Sequence, residues 1–207
     1  MSARVCSFAP VARPDARLLI LGSMPGTVSL AAHRYYAHPH NQFWRIMGVL
    51  CDAGPQWPYD QRLERLQARG IALWDVFESC ARPGSLDSSI DHASASVNDI
   101  PALLQRCPQI TRICCNGTTA YTAFTRHLGA ELARLRPSLE IARLPSTSPA
   151  NASWSPARKL AAWRAALSDG CRIDPASTVA PGSESTAASV ARYSASVHAR
   201  RPPKSCP

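Results

Sequence analysis

Four short apolar runs, each set off from the next by a stretch with helical spacing, limit what this chain can fold into more than any other feature. They are Arg17-Leu-Leu-Ile-Leu-Gly22, Ile71-Ala-Leu-Trp-Asp-Val76, Ile110-Thr-Arg-Ile-Cys-Cys-Asn116 and Leu139-Glu-Ile-Ala-Arg-Leu144. Their lengths suit strands, and near-continuous apolar character suits strands covered on both faces. Between them, Gln42–Cys51 places Phe43, Ile46, Met47 and Leu50 at spacings of three and four, which is a helical face. Tyr59–Arg69, Val97–Arg106 and Thr118–Leu135 also read as helices. Ser155-Pro156 offers an N-cap and a first-turn proline to a last helix ending at Leu167. Strands alternating with helices imply right-handed crossovers and a parallel sheet. The expected fold is a three-layer α/β/α arrangement around a central four-stranded parallel sheet.

All of these patterns lie in residues 1–169, which form the expected domain. Residues 170–207 are rich in Ser, Ala, Pro and Arg and poor in large apolar side chains. Such a segment cannot bury enough surface to offset its ordering entropy, so it is expected to be a disordered tail. The tail holds five cations and two acids, which leaves +6 of the net +9 in the domain. Basicity is therefore a property of the domain, and it makes nucleic acid the first candidate partner. A basic enzyme with no polyanionic partner is the alternative on charge alone.

No apolar run approaches the roughly 18–20 residues that a membrane span needs. The N-terminus lacks a continuous apolar segment of the secretory kind, so a cytoplasmic protein is expected. The eight cysteines contain no CxxC and no zinc-like spacing with histidine. They read as reduced, mostly buried thiols, and no metal is expected.

In an open α/β sheet, ligands bind beyond the carboxyl ends of the strands. That rule selects Gly22-Ser-Met-Pro-Gly26 with Tyr35–Trp44, then Asp75–Asp87, Asn116–Thr119 and Leu144–Asn151. Gly22, Ser23 and Ser146-Thr147-Ser148 offer backbone N–H groups and hydroxyls that can approach phosphate oxygens. Tyr35, Tyr36 and Phe43 could form an aromatic wall against which a base stacks. Asn41 can donate and accept at once; it either reads a base edge, orients a water, or caps the helix that follows it. Asp75 and Asp87 are either bases or turn and cap residues, with the second reading preferred. Neither GxxxxGK[ST] nor GxGxxG occurs, which argues against nucleoside triphosphates and dinucleotides. The residues thus describe a basic α/β domain whose rim suits phosphate and base.

Taken in order, Gly22–Gly26, Tyr36-Ala-His-Pro-His-Asn-Gln-Phe-Trp44, Gly84-Ser-Leu-Asp87 and Leu144-Pro-Ser-Thr-Ser-Pro-Ala-Asn151 resemble the uracil-DNA glycosylase superfamily. The nearest likeness is to its hypoxanthine-DNA (deoxyinosine) glycosylase branch. The resemblance runs from about Leu18 to Leu167. It implies an enzyme that flips a deaminated base out of DNA and hydrolyses its N-glycosidic bond, leaving an abasic site. Hypoxanthine is the implied base, with uracil and xanthine as further candidates. By position it implies Asn41 as the catalytic residue. Gly22, Ser23, Met24, Pro25, Gly26, Tyr36 and Phe43 would bind the substrate base. Ser146, Thr147, Ser148, Pro149, Ala150 and Asn151 would grip the DNA. Met24 stands where related mismatch-specific enzymes carry a water-orienting Asn, and Ala150 stands where they carry a Leu wedge. The expected enzyme is a monofunctional, cofactor-free monomer associated with the nucleoid. A catalytically silent DNA-binding protein of the same fold is the alternative, because Met24 cannot orient water.

Overall fold

The four apolar runs assemble as one sheet in the computed structural model, which describes residues 4–168. In chain order the elements are β1 (Arg4–Cys6), β2 (Leu18–Gly22), α1 (Thr27–Ala32), α2 (Phe43–Cys51), α3 (Tyr59–Ala68) and β3 (Ile71–Asp75). There follow β4 (Phe77–Ala81), β5 (Asp91–Val97), α4 (Ile100–Arg106), β6 (Arg112–Asn116), α5 (Thr118–Phe124), α6 (Ala130–Leu135), β7 (Glu140–Leu144) and α7 (Pro156–Ser168). The main sheet has the order β3-β2-β6-β7, and every pairing in it is parallel. The tail expected from residue 170, and the exact end of the domain at 169, lie outside the described residues.

Alternation along the buried strands sorts the core into two layers. Leu18 and Ile20 of β2 point to Phe43, Met47, Leu66 and Trp163 of α2, α3 and α7. Leu19 and Leu21 point the other way, toward Ile100, Leu103, Phe124 and Leu132. A strand with period-two side chains and helices on both faces must be apolar throughout, and β2 is fully buried along its length. The three-layer α/β/α expectation is met.

Strand order reverses between β2 and β6: the chain leaves β2 to one side for β3, then returns to the other side for β6 and β7. The carboxyl ends of β2 and β6, at Gly22 and Asn116, therefore flank the switch point where a crevice opens. After β3 the chain bends over this point. The N–H groups of Val76 and Phe77 donate to the carbonyls of Gly22 and Ser23 at 2.9 and 3.1 Å.

Three features depart from the sequence expectation. Residues 75–87 are only partly loop: β4 pairs antiparallel with β1 and β5 in a second, three-stranded sheet. Its strands are short and carry serines on cross-strand positions, with Ser79 and Ser96 hydroxyls 2.8 Å apart, so no apolar run marks them. The helix expected from Val97 begins at Ile100, where Asp99 accepts the Ala102 N–H at 2.9 Å. Finally, the long helix over Thr118–Leu135 is interrupted by a π-turn at Thr125–Gly129. Of the cysteines, Cys51, Cys80, Cys107, Cys114 and Cys115 are buried thiols, as expected. Cys6 is disulfide-bonded, which corrects the reading of it as a thiol.

Candidate active site

A cleft of about 1240 Å³ opens at the switch point. All five residues of Gly22–Gly26, together with Tyr36, Asn41 and the whole of Ser146–Asn151, line it. Three separate loops thus converge as the topology rule requires.

The floor is built where β2 and β3 end. Asp75, the last residue of β3, is 3% exposed. Its carboxyl packs directly against Gly22: a Cβ there would overlap Asp75 Oδ1 and would sit 3.4 Å from the Tyr36 hydroxyl. Glycine is required by this close approach, not by backbone conformation. Asp75 Oδ2 is buried without a hydrogen-bond partner among the described residues, and the buried Tyr36 hydroxyl has only a looser contact with Asn116. Burial, reinforced by the nearby Asp87 carboxylate and opposed by Arg82, pushes the Asp75 carboxyl up to about 8. It is therefore largely protonated at neutral pH.

Beside this floor, the Ser23 hydroxyl donates to Asp87 Oδ1 at 2.7 Å. Burial raises the Asp87 pKa, while the Ser23 hydrogen bond and Arg82 pull it back. Arg82 is 2% exposed and donates to the carbonyls of Met24 and Pro25, which fixes the Gly22–Gly26 turn from beneath. Met24 itself is 6% exposed and forms part of the core as well as the cleft lining.

Tyr36 adopts a left-handed backbone, φ 55°, and its ring stacks on Phe43 with centroids 3.9 Å apart and planes at 20°. Phe43 is wholly buried and does not line the cleft, so the expected direct base contact is corrected to a backing role behind Tyr36. Tyr35 is also in the core, edge-on to Phe8. Asn41 is half-buried, and its Oδ1 accepts the Phe43 N–H at 2.9 Å. Gln42, not Asn41, is the N-cap of α2, so this bond is a turn just ahead of the helix; it identifies the oxygen, because only an acceptor can face a backbone N–H. The Nδ2 amide has no partner among the described residues and remains available to the cleft.

The opposite wall is tied together. Asn116, at the end of β6, donates to Thr147 Oγ1 and accepts the Thr147 N–H, both at 2.9 Å. The Thr147 carbonyl in turn accepts the Gln42 N–H at 2.9 Å, joining this loop to the start of α2. Gly117, φ 106°, packs so tightly against this loop that a Cβ there would lie 2.9 Å from Ser146 Cβ. Lys159 is 3% exposed and braces the loop from below, donating to the Asn151 carbonyl at 2.9 Å. Pro149 and Ala150 form the exposed tip. Trp154, with Arg158 over its ring at 4.6 Å, and Arg143 extend this wall as an aromatic and cationic rim.

Sequence reasoning placed Asp75, Asp87 and Asn116 in rim loops but assigned none of them to the site. The type of residue at the C-terminal end of each parallel strand was the available signal. Among the described residues, no three His, Cys, Asp or Glu side chains gather as a metal site. Likewise, no described helix is long and apolar enough to cross a membrane.

A parallel α/β/α sheet with its cleft at the switch point, lined by these ordered motifs, defines a class. Residues 9–167 match the model of the uracil DNA glycosylase superfamily, and the chain belongs to that family. Within it, the chain is 35% identical over 155 residues to a protein of Methanosarcina acetivorans named hypoxanthine DNA glycosylase, covering 73% of this chain and 91% of that one. A Methanosarcina barkeri protein of the same name is 37% identical over 127 residues, covering 60% and 79% of the two chains. A solution NMR structure from M. acetivorans, provisionally assigned as a uracil DNA glycosylase, superposes with a TM-score of 0.62 at 31% identity. It covers 80% of this chain and 99% of its own.

Proposed function

We propose that this chain is a monofunctional DNA glycosylase that flips hypoxanthine out of deoxyinosine-containing DNA and hydrolyses its N-glycosidic bond. The observation that carries this reading is the meeting of Tyr36, Asn41 and the Ser146–Asn151 loop around one cleft at the switch point. The names of its relatives supply the base. Xanthine and uracil are further substrates to test.

Extruding a base costs a few kcal/mol, and least when the base is mispaired, as a deaminated base is. The Tyr36 ring, backed by Phe43, gives the extruded base a surface to stack on. As the bond to the sugar breaks, the sugar becomes oxocarbenium-like and negative charge gathers on the base. Asn41 Nδ2, with its oxygen already held by α2, is a preoriented donor to that charge. The Ser146 and Ser148 hydroxyls, which accept the Ser148 and Ala150 N–H groups, keep a proton each to offer flanking phosphates, with the Lys159 charge beneath the loop. Lys159 is the only lysine among the described residues, and it is occupied by loop carbonyls, so among those residues no lysine amine is free for a Schiff base. The enzyme acts as a monomer on nucleoid DNA.

The test is base release from duplexes carrying one inosine, xanthine or uracil, read by alkali-induced strand scission. Scission at inosine is expected, with Asn41→Ala slower by about 10²–10³-fold, the loss typical of removing one transition-state donor. Scission at uracil alone would reassign the substrate. Binding without scission on any duplex would favour the silent, Met24-bearing alternative.

A further inference from the structure

Asp75 Oδ2, on the cleft floor, is buried with no hydrogen-bond partner among the described residues, and the Tyr36 hydroxyl beside it has only Asn116 within reach. A buried unsatisfied polar atom typically costs about 1–3 kcal/mol, so the enclosed Asp75 oxygen calls for an external partner. Gly22 lets the carboxyl sit against the strand end and reach the cleft, since any side chain there would strike it. The Asp75 backbone is held on both sides: it pairs with Gly22 in the sheet, and its carbonyl accepts from Asn98 Nδ2 at 2.9 Å. The carboxyl is thus rigidly placed, enclosed and unspent.

We propose that Asp75 is a catalytic residue that meets the flipped purine and protonates it as the glycosidic bond breaks. This inference rests on the glycosylase reading above. In the step, the C1′–N9 electron pair goes to the base while the Asp75 proton passes to a ring nitrogen. Hypoxanthine then leaves neutral, and Asp75 becomes a carboxylate. Water adds to the oxocarbenium carbon, and its surplus proton returns to Asp75, restoring the acid. The groups that face Asp75 fit the role. Desolvation and the Asp87 charge favour its protonated form, Arg82 opposes them, and the phenols of Tyr35 and Tyr36 stay neutral through burial. Neutralising the departing base matters more for a purine left in a dry pocket than for one in water.

The experiment measures single-turnover release of hypoxanthine by chromatography between pH 5.5 and 9.5. Affinity is measured in parallel for a duplex carrying 2′-fluoro-2′-deoxyinosine, whose bond resists hydrolysis. The wild-type rate should fall above pH about 8, where Asp75 ionises. Asp75→Asn should be slower by about 10²–10⁴-fold, the range for a lost general acid, with the alkaline fall abolished and affinity retained. Asp87→Asn, which keeps Asp75 but removes the charge facing it, should move the fall to lower pH. A wild-type rate with no alkaline fall, an unmoved fall in Asp87→Asn, or wild-type activity in Asp75→Asn would each overturn the assignment. No hypoxanthine release by wild type at any pH would instead sink the glycosylase reading itself.

Discussion

The floor of the cleft on β2 and β3 and the wall on β6 and β7 come from one sheet, yet they treat their polar atoms in opposite ways. On the wall, Asn116 and Thr147 satisfy each other with two bonds of 2.9 Å, and the loop beyond is stitched to Gln42, Lys159 and itself. On the floor, Asp75 Oδ2 is buried with no partner among the described residues, and two carboxyls crowd one corner. A satisfied network is rigid and holds a shape for something else to press against. An unsatisfied one stores free energy that a ligand can release, which is the usual condition of a reacting site. The contrast separates positioning, done by the wall, from chemistry, done by the floor.

The sharpest way to break this division is at Gly22. Alanine there drives a methyl group into Asp75 Oδ1 and displaces the carboxyl or the strand end. Base release should drop by about 10²-fold or more, as expected for an ångström-scale misplacement of reacting groups. The overpacking should also cost about 1–3 kcal/mol in denaturant unfolding. Unaltered single-turnover release would mean that the floor takes no part in the reaction.

On the wall, Asn116→Ala should show the reverse balance. It strands the buried Thr147 N–H and hydroxyl, at about 1–3 kcal/mol for each group left unsatisfied, and lets the loop drift from α2. Duplex affinity and melting temperature should fall together, with the rate at saturating enzyme reduced least. A loss confined to that rate would move the wall into the chemistry.

A further expected effect is on stability against pH. The Asp75 carboxyl has its pKa raised from 3.8 to about 8 in the fold. Between those values the native state holds a proton that the unfolded chain has released, so stability falls as pH rises through this window. Melting scans from pH 5 to 8 should show that decline, and Asp75→Asn should flatten it and melt higher than wild type at pH 8. A parallel decline in both proteins would remove Asp75 as its cause.

Much of this arrangement was legible in the sequence, for reasons that particular residues make plain. Leu18–Leu21 could only be a doubly covered strand, because no amphipathic element tolerates four consecutive large apolar residues. Ser155-Pro156 announced α7, and Ser155 Oγ does accept the Arg158 N–H at 3.3 Å. Asn41 was open between capping and binding; in the structure Gln42 is the N-cap of α2, and the Asn41 oxygen accepts the Phe43 N–H in the turn ahead of it. By contrast β4 and β5 left no mark, since their pairing rests on cross-strand serines and on the path the chain takes out of β3.

What the sequence determined by itself was the period of each element, and with it the layered fold, the parallel sheet and the rim where a ligand belongs. These are local or topological properties, written in the spacing of apolar residues. Tertiary structure alone decided that Phe43 backs the Tyr36 ring instead of facing the cleft, and that Asp75 loses its water beside Gly22 and Asp87. Burial and proximity arise only when segments distant in the chain meet, so the chemistry of a carboxyl belongs to its surroundings and not to its place in the sequence.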